Sequence, residues 1–309
     1  MAYELQLNLT AGDALRRVLV EELESAVERL RSAGDEDRAK TVHESRKHIK
    51  KTRAALDLAR AGIDKRTYRA TRGALRDIAQ GLAGQRDADV MLETIAGLGE
   101  RFVGQLPASA FEDVRGAVAE RSRAGGAVAD TTAAADALAQ VARDLAELPL
   151  DGCSWRTVRD AATRTYARGL AEWETLARAG EGEHRHEWRK RVKGLWYHQR
   201  LLRPAWPGVM DAYVEQADQL GDVLGREHDL DVLEAFLTEH GATLETRADV
   251  GEIIGLIGRR RVELRSEAEG IGRRLYAESP KAFDRRLRAW LRAARDEHAA
   301  EAGEVASGS

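Results

Sequence analysis

From Thr10 onward the apolar residues recur at intervals of three and four. Leu15, Leu19, Leu23, Val27 and Leu30 fall on one face of a helix, with charged residues between them. Thr10 or Asp13 can cap its start with a side-chain oxygen, and Gly34 ends it. Similar periodicity runs on through the chain. Glycine and proline interrupt it at Gly62-Ile63-Asp64, from Gly104 to Pro107, from Pro149 to Gly152, from Pro204 to Gly208 and at Ser279-Pro280. No ladder of strand-like segments stands out. Strong helix formers dominate and only 5 prolines occur in 309 residues, so the chain is predicted to be all-α.

Laid over itself at an offset of 143, the chain repeats a polar pattern. His43-Glu44-x-Arg46-Lys47-x-x-Lys50 falls on His186-Glu187-x-Arg189-Lys190-x-x-Lys193. The same register places Leu15-Arg16 over Val158-Arg159, and Leu19, Leu23, Val27 and Leu30 over Ala162, Tyr166, Leu170 and Trp173. At an offset of 142, Leu82 and Asp87-Ala88-Asp89-Val90 fall on Leu224 and Asp229-Leu230-Asp231-Val232. The period is far longer than a solenoid unit, which makes this a duplicated domain. Each half reads as an amphipathic helix, a basic helix, a third helix, and a D-x-D turn into a fourth. The boundary falls in Leu148 to Ser154, giving helical bundles at 1–150 and 151–309.

Charge sharpens the picture. The net charge is −3, which argues against a chain that coats nucleic acid with its whole surface. Yet Arg46, Lys47, Lys50, Lys51 and Arg53 face the single Glu44 between His43 and Arg53. Between His184 and Arg203, Arg185, Arg189, Lys190, Arg191, Lys193, Arg200 and Arg203 face only Glu187. Two positive islands on an acidic background indicate a defined anion site.

On the first basic helix His43, Arg46, Lys50 and Arg53 share a stripe opposite Ser45, Ile49, Thr52 and Leu56. On the second, His186, Arg189, Lys193 and Arg200 lie opposite Val192, Leu195, Gln199 and Leu202. Such a row could follow successive phosphates of a polymer: arginine donates paired hydrogen bonds, lysine a point charge, histidine a pH-dependent donor. The plainer alternative is a solvated helix face, but such a face does not require the same charge order twice. The histidines could also be buried structural residues, or metal ligands with Asp87, Asp89, Asp229 and Asp231. His228-Asp229 resembles a metal-dependent phosphohydrolase dipeptide, but the first half has Arg86 in place of that histidine. The D-x-D carboxylates are expected to cap helices and pair with arginines, and Trp196 and Tyr197 to pack in the core or at its rim.

No phosphate-binding glycine loop, dinucleotide fingerprint, H-E-x-x-H pair or nucleophile elbow is present, so no catalytic role and no cofactor are expected. No apolar run approaches the ~20 residues of a membrane span, and the N-terminus lacks a signal pattern. Cys153 is alone. These features fit a cytoplasmic protein.

The segments VHESRKHIKKTRAAL and GLAGQRDADV, with HEWRKRVKGLWYHQRLL and LGREHDLDV, resemble the CHAD family, the conserved histidine α-helical domain. The likeness runs from about Leu9 to near Arg292. It implies two helical bundles related by a pseudo-two-fold axis, a basic central cleft, binding of inorganic polyphosphate, and association with polyphosphate granules. The contacts it implies are His43, Arg46, Lys47, Lys50, Arg53, His186, Arg189, Lys190, Lys193 and Arg200, with Arg16 and Arg159 on the preceding helices. Lys50-Lys51 replaces the arginines common in such proteins, and Trp196 stands opposite Arg53, so the halves need not bind equally. Relatives often carry a triphosphate-processing CYTH domain with an E-x-E-x-K strand. Glu4-Leu5-Gln6-Leu7-Asn8 lacks its second carboxylate and lysine, and a stand-alone copy is expected. A metal-dependent phosphohydrolase and a nucleic-acid scaffold are the competing functions. The latter is disfavoured by the acidic background and the lack of an aromatic reading surface.

Overall fold

The interruptions read from glycine and proline are where helices end. The computed structural model describes residues 3–32, 34, 38–82, 86–125, 130–179, 183–244 and 250–307, and among these it has eleven α-helices and no strand. They are α1 (Ala11–Ser32), α2 (Arg38–Ala59), α3 (Lys65–Gly81), α4 (Arg86–Arg101), α5 (Ala108–Gly125), α6 (Thr131–Ala146), α7 (Trp155–Ala179), α8 (Glu183–Leu201), α9 (Pro207–Leu244), α10 (Val250–Leu275) and α11 (Pro280–Ser307). Short 3₁₀ turns at Arg60–Gly62 and Arg203–Ala205 follow α2 and α8.

Side-chain oxygens satisfy the orphan amides at helix starts. Thr10 Oγ1 accepts from Asp13 N at 3.2 Å, Asp64 from Arg66 N and Thr67 N at 3.0 Å each, and Asp130 from Ala133 N at 2.9 Å. Ser154 and Thr157 cap α7 reciprocally, and Ser279 caps α11 ahead of Pro280. Gly104, at φ 77°, makes the left-handed turn after α4 that a side chain would strain.

Two compact units emerge. The first comprises residues 1–82, 130–218 and 274–309, and the second 83–129 and 219–273. The predicted stripe of α1 is buried in the first unit, with Leu15, Leu19 and Leu23 fully inaccessible, each worth roughly 1.5–3 kcal/mol by apolar burial. α1 packs on α2 and α6, and α2 packs in turn on α3, α7 and α8. The first unit therefore holds residues from both sides of the expected 150/151 boundary, because α1 and α2 bury their apolar faces beside α7 and α8. In the second unit α4 packs on α5, and α10 carries Arg261 to Asp231 at 3.0 Å and Arg265 to Glu227 at 2.8 Å.

That pairing corrects a second expectation. Asp229 and Asp231 form no turn and cap no helix; they lie inside the continuous α9. In the first half α3 ends at Gly81, whereas the aligned position, Val223, lies inside α9. Buried Leu224, Leu230 and Leu233 and the ion pairs to α10 hold it there. Asp89 does fall in the first turn of α4, where a negative charge is favoured, while the Asp87 side chain lies outside the described residues.

Candidate functional site

On α2 the inward face is Ser45, Ile49, Thr52 and Leu56; on α8 it is Val192, Leu195 and Gln199, continued by Leu202 just past its end. All eight are buried, as the helical spacing predicts. His43, Arg46, Lys50 and Arg53, and His186, Arg189, Lys193 and Arg200, are left half-buried or exposed. The two basic helices pack directly against each other.

Four contacts fix that packing. His198, fully buried on α8, donates from Nε2 to the Ala54 carbonyl of α2 at 3.1 Å. The N-terminal segment straps the pair: Tyr3 Oη donates to the Lys51 carbonyl at 2.8 Å, and Leu5 N to the Leu201 carbonyl at 2.9 Å. Glu4 pairs with Arg203 at 2.8 Å. The strap and His198 were not singled out from sequence. The strap's signal was a two-residue alternation: Tyr3, Leu5 and Leu7 are buried, while Gln6 and Asn8 are exposed.

Burial holds the His198 imidazole below the usual histidine range, so it is neutral at pH 7. Its Nδ1 has no hydrogen-bond partner among the protein atoms, and protonation would bury an unpaired charge. The folded pKa is depressed, so below the unfolded value of about 6.5 the unfolded chain binds the extra proton and stability falls with pH. Melting temperature is therefore expected to drop between pH 7.5 and pH 5.5, and to drop less in His198→Gln. His198→Ala is expected to cost about 2–4 kcal/mol in denaturant titration through the lost ring and hydrogen bond.

Lys50 is the centre of the charge cluster. Burial is the largest influence on it, followed by Arg46, then Arg189 and Lys193 from α8, then Arg53; together they bring its pKa down to about 8. Its side chain nevertheless reaches solvent. The crowding that depresses its charge comes from protein mass around it, and the accessible surface is what governs whether a ligand can touch it. Cations of both basic helices are thus within electrostatic reach of Lys50. Arg53 is also pushed below its ordinary value, first by burial and then by Arg72 of α3, with Arg76 acting in the same sense and Asp57 opposing. Arg72, which pairs with Asp57 at 3.3 Å, and Arg76, which pairs with Asp77 at 3.0 Å, thus act on Arg53 from α3 and were missed. Their spacing was visible, but nothing in the sequence said that α3 lies beside Arg53.

The remaining candidates divide. Lys47 pairs with Glu44 at 2.8 Å and Lys190 with Glu187 at 2.7 Å, the same bond on each basic helix. Each lysine's hydrogen bond is the main reason its glutamate lies below the ordinary carboxylate range. His43 Nε2 lies 3.8 Å from Glu44, and His186 is exposed one residue before Glu187. Lys193 lies 3.6 Å from Asp218. Trp196 is half-buried under both Lys193 and Arg200, whose cations sit 5.0 and 4.9 Å from its ring centroid, so it forms a floor between them. Tyr197 is core. Arg16 pairs with Asp13 at 2.6 Å and reaches the Leu148 carbonyl, while Arg159 pairs with Asp160 and Asp284, both at 2.7 Å. Their guanidiniums are engaged by carboxylates of their own surroundings. His48 and Lys51, part of the same basic run, turn to the buried carboxylate of Glu22 at 2.6 and 3.1 Å.

Among the described residues no group of three or more His, Cys, Asp or Glu side chains could hold a metal ion, and no helix is long and apolar enough to cross a membrane. What the cluster offers chemically is positive charge and hydrogen-bond donors.

Comparison with known proteins completes the picture. No curated protein was found to match the chain. Among solved structures, the crystal structure of the CHAD domain from the plant Ricinus communis is similar at 18% identity, with a TM-score of 0.55 and coverage of 95% of each chain. PptA from Streptomyces chartreusis is similar at 16% identity, with a TM-score of 0.59 and coverage of 87% of this chain and 98% of that one. At these identities the likeness is one of fold. The CHAD domain model matches residues 9–238, most of the length, and the chain therefore belongs to the CHAD domain family.

Proposed function

We infer that this chain binds a long inorganic polyanion, polyphosphate, in a basic cleft between α2 and α8, and does so without catalysing a reaction. The observation that carries this reading is that α2 and α8 pack together and that Arg189 and Lys193 of α8 act on Lys50 alongside Arg46 and Arg53 of its own helix. Like charges gathered so closely repel at a cost that an anion offsets, and a chain of phosphates offsets it for all five cations at once. Helix order supports a duplicated motif: α1, α2, a 3₁₀ turn and α3 are matched by α7, α8, a 3₁₀ turn and the start of α9. The cytoplasm, at polyphosphate granules, is the setting this function implies.

Titration with defined-length polyphosphate tests the reading, in competition with single-stranded RNA at fixed salt and with free phosphate assayed beside it. The expected result is saturable binding that RNA displaces only weakly, with no phosphate released in the presence of divalent metal. Tighter binding of RNA would favour the nucleic-acid scaffold. Phosphate release that vanishes in His43→Ala would favour the hydrolase.

A further inference from the structure

Arg200 ends the basic stripe of α8, and aromatic rings, not carboxylates, attend its charge. Its guanidinium lies over two of them, 5.3 Å from the ring centroid of Tyr3 and 4.9 Å from that of Trp196. Among the described residues it pairs with no Asp or Glu. We propose that Tyr3, on the N-terminal strap, is a positioning residue of the anion site: its ring and that of Trp196 hold the Arg200 guanidinium in place, leaving its N–H donors for phosphate oxygens. This rests on the anion-binding reading of α2 and α8.

The Tyr3 ring is itself fixed from both helices. Its side chain is buried, its Oη donates to the Lys51 carbonyl of α2 at 2.8 Å, and its ring meets Tyr197 of α8 edge-on at 6.0 Å. The next residues anchor the strap, Leu5 N on the Leu201 carbonyl at 2.9 Å and Glu4 on Arg203 at 2.8 Å. A cation of each basic helix lies over the ring: Lys51 Nζ, 5.2 Å from the centroid, and Arg200. Lys51 is engaged by Glu22 at 3.1 Å, whereas the Arg200 donors face no carboxylate. A planar guanidinium is attracted to ring faces, most strongly where water is excluded. Holding a long side chain in place before the ligand arrives removes part of the ordering cost of binding.

The sequence repeat shows where this support enters. In the register that aligns the halves, Trp196 falls on Arg53 and Arg200 on Asp57. The last cation of the α8 stripe therefore stands one helical turn beyond the position that Arg53 takes on α2. A ring occupies the position between, and it bears Lys193 at 5.0 Å as well as Arg200. Lys193 also lies 3.6 Å from Asp218. Arg200 has the rings alone, and the second of them comes from the strap.

The test is a double-variant cycle over Tyr3→Leu and Arg200→Gln in the intact chain, read as affinity for long polyphosphate. Tyr3→Leu, which keeps an apolar side chain in the buried place, should weaken binding about three- to tenfold. With Arg200→Gln already present the same change should cost less than about twofold, because no cation is left to position. Tyr3→Phe retains the ring and should bind within about twofold of wild type. A strap that is merely loosened would lower affinity alike in both backgrounds, so equal losses would overturn the proposal. So would a Tyr3→Leu variant that binds like wild type, or a loss in Tyr3→Phe as large as that in Tyr3→Leu. If Tyr3→Leu melts below the assay temperature, Trp196→Leu removes the other ring in the same cycle, and its loss should likewise shrink in the Arg200→Gln background. Titration of the unmodified chain separates the two readings: binding without coupling between ring and Arg200 removes only the positioning role, whereas no binding removes both.

Discussion

Replacing Arg46 with Gln and Lys50 with Met should weaken long-chain polyphosphate by about 100-fold or more, and the pair Arg189→Gln with Lys193→Met should do the same. A polymer held by one stripe meets the other at high effective concentration, because α2 and α8 pack together and Lys50 already feels Arg189 and Lys193. Losing either stripe therefore removes both its own contacts and the gain from joining them. Tripolyphosphate, too short to profit from the whole row, should lose less than about tenfold in each double variant. Affinity against chain length is the measurement. Equal losses for short and long anions would mean independent halves, and no loss in either variant would leave both stripes as solvated helix faces. Helical content should not change, since the substituted side chains lie on the outward faces.

Salt should act almost as strongly. Five cations gather at Lys50, and each phosphate they neutralise releases condensed counterions. With a single-strand-like response, raising salt from about 50 mM to about 200 mM should reduce affinity for long polyphosphate roughly 100-fold, linearly in a log–log plot. Either double variant should show a slope shallower by about one unit. The measurement is a binding isotherm at each of several salt concentrations. A flat response would mean that contacts other than charge dominate.

The two predictions lean on features that were readable to different degrees. The stripes themselves were legible because helical spacing alone places Ile49 and Leu56 opposite Arg46 and Lys50, and Val192 and Leu195 opposite Arg189 and Lys193. Helix ends were legible wherever glycine, proline or a capping residue acted locally, as at Asp64, Ser154 and Ser279. What could not be read was set by contacts distant in sequence. The D-x-D pairs look alike, yet α3 ends at Gly81 before the first, while the second lies inside α9, where Asp231 pairs with Arg261 of α10. The core that unites α1 and α2 with α7 and α8 spans residue 150, because burying an amphipathic face depends on which partner is near in space and not on nearness in sequence. Arg72 and Arg76, the floor beneath Lys193 and Arg200, and the inward turn of His48 and Lys51 toward Glu22 likewise needed three dimensions. His198 was visible as one letter in a motif; only burial against Ala54 shows that it fastens one basic helix to the other.

Calorimetric titration of the chain with long polyphosphate at pH 8, in two buffers of different ionisation heat, tests most directly whether the polyanion sits on the Lys50 cluster. Lys50 is about half neutral there, and phosphate oxygens beside it would favour its charged form, so its pKa rises on binding. The expected result is saturable binding accompanied by uptake of up to about half a proton at Lys50, a contribution that disappears in Lys50→Met. Binding that takes up no proton, or the same proton uptake in Lys50→Met, would contradict a polyphosphate chain seated between the two basic helices.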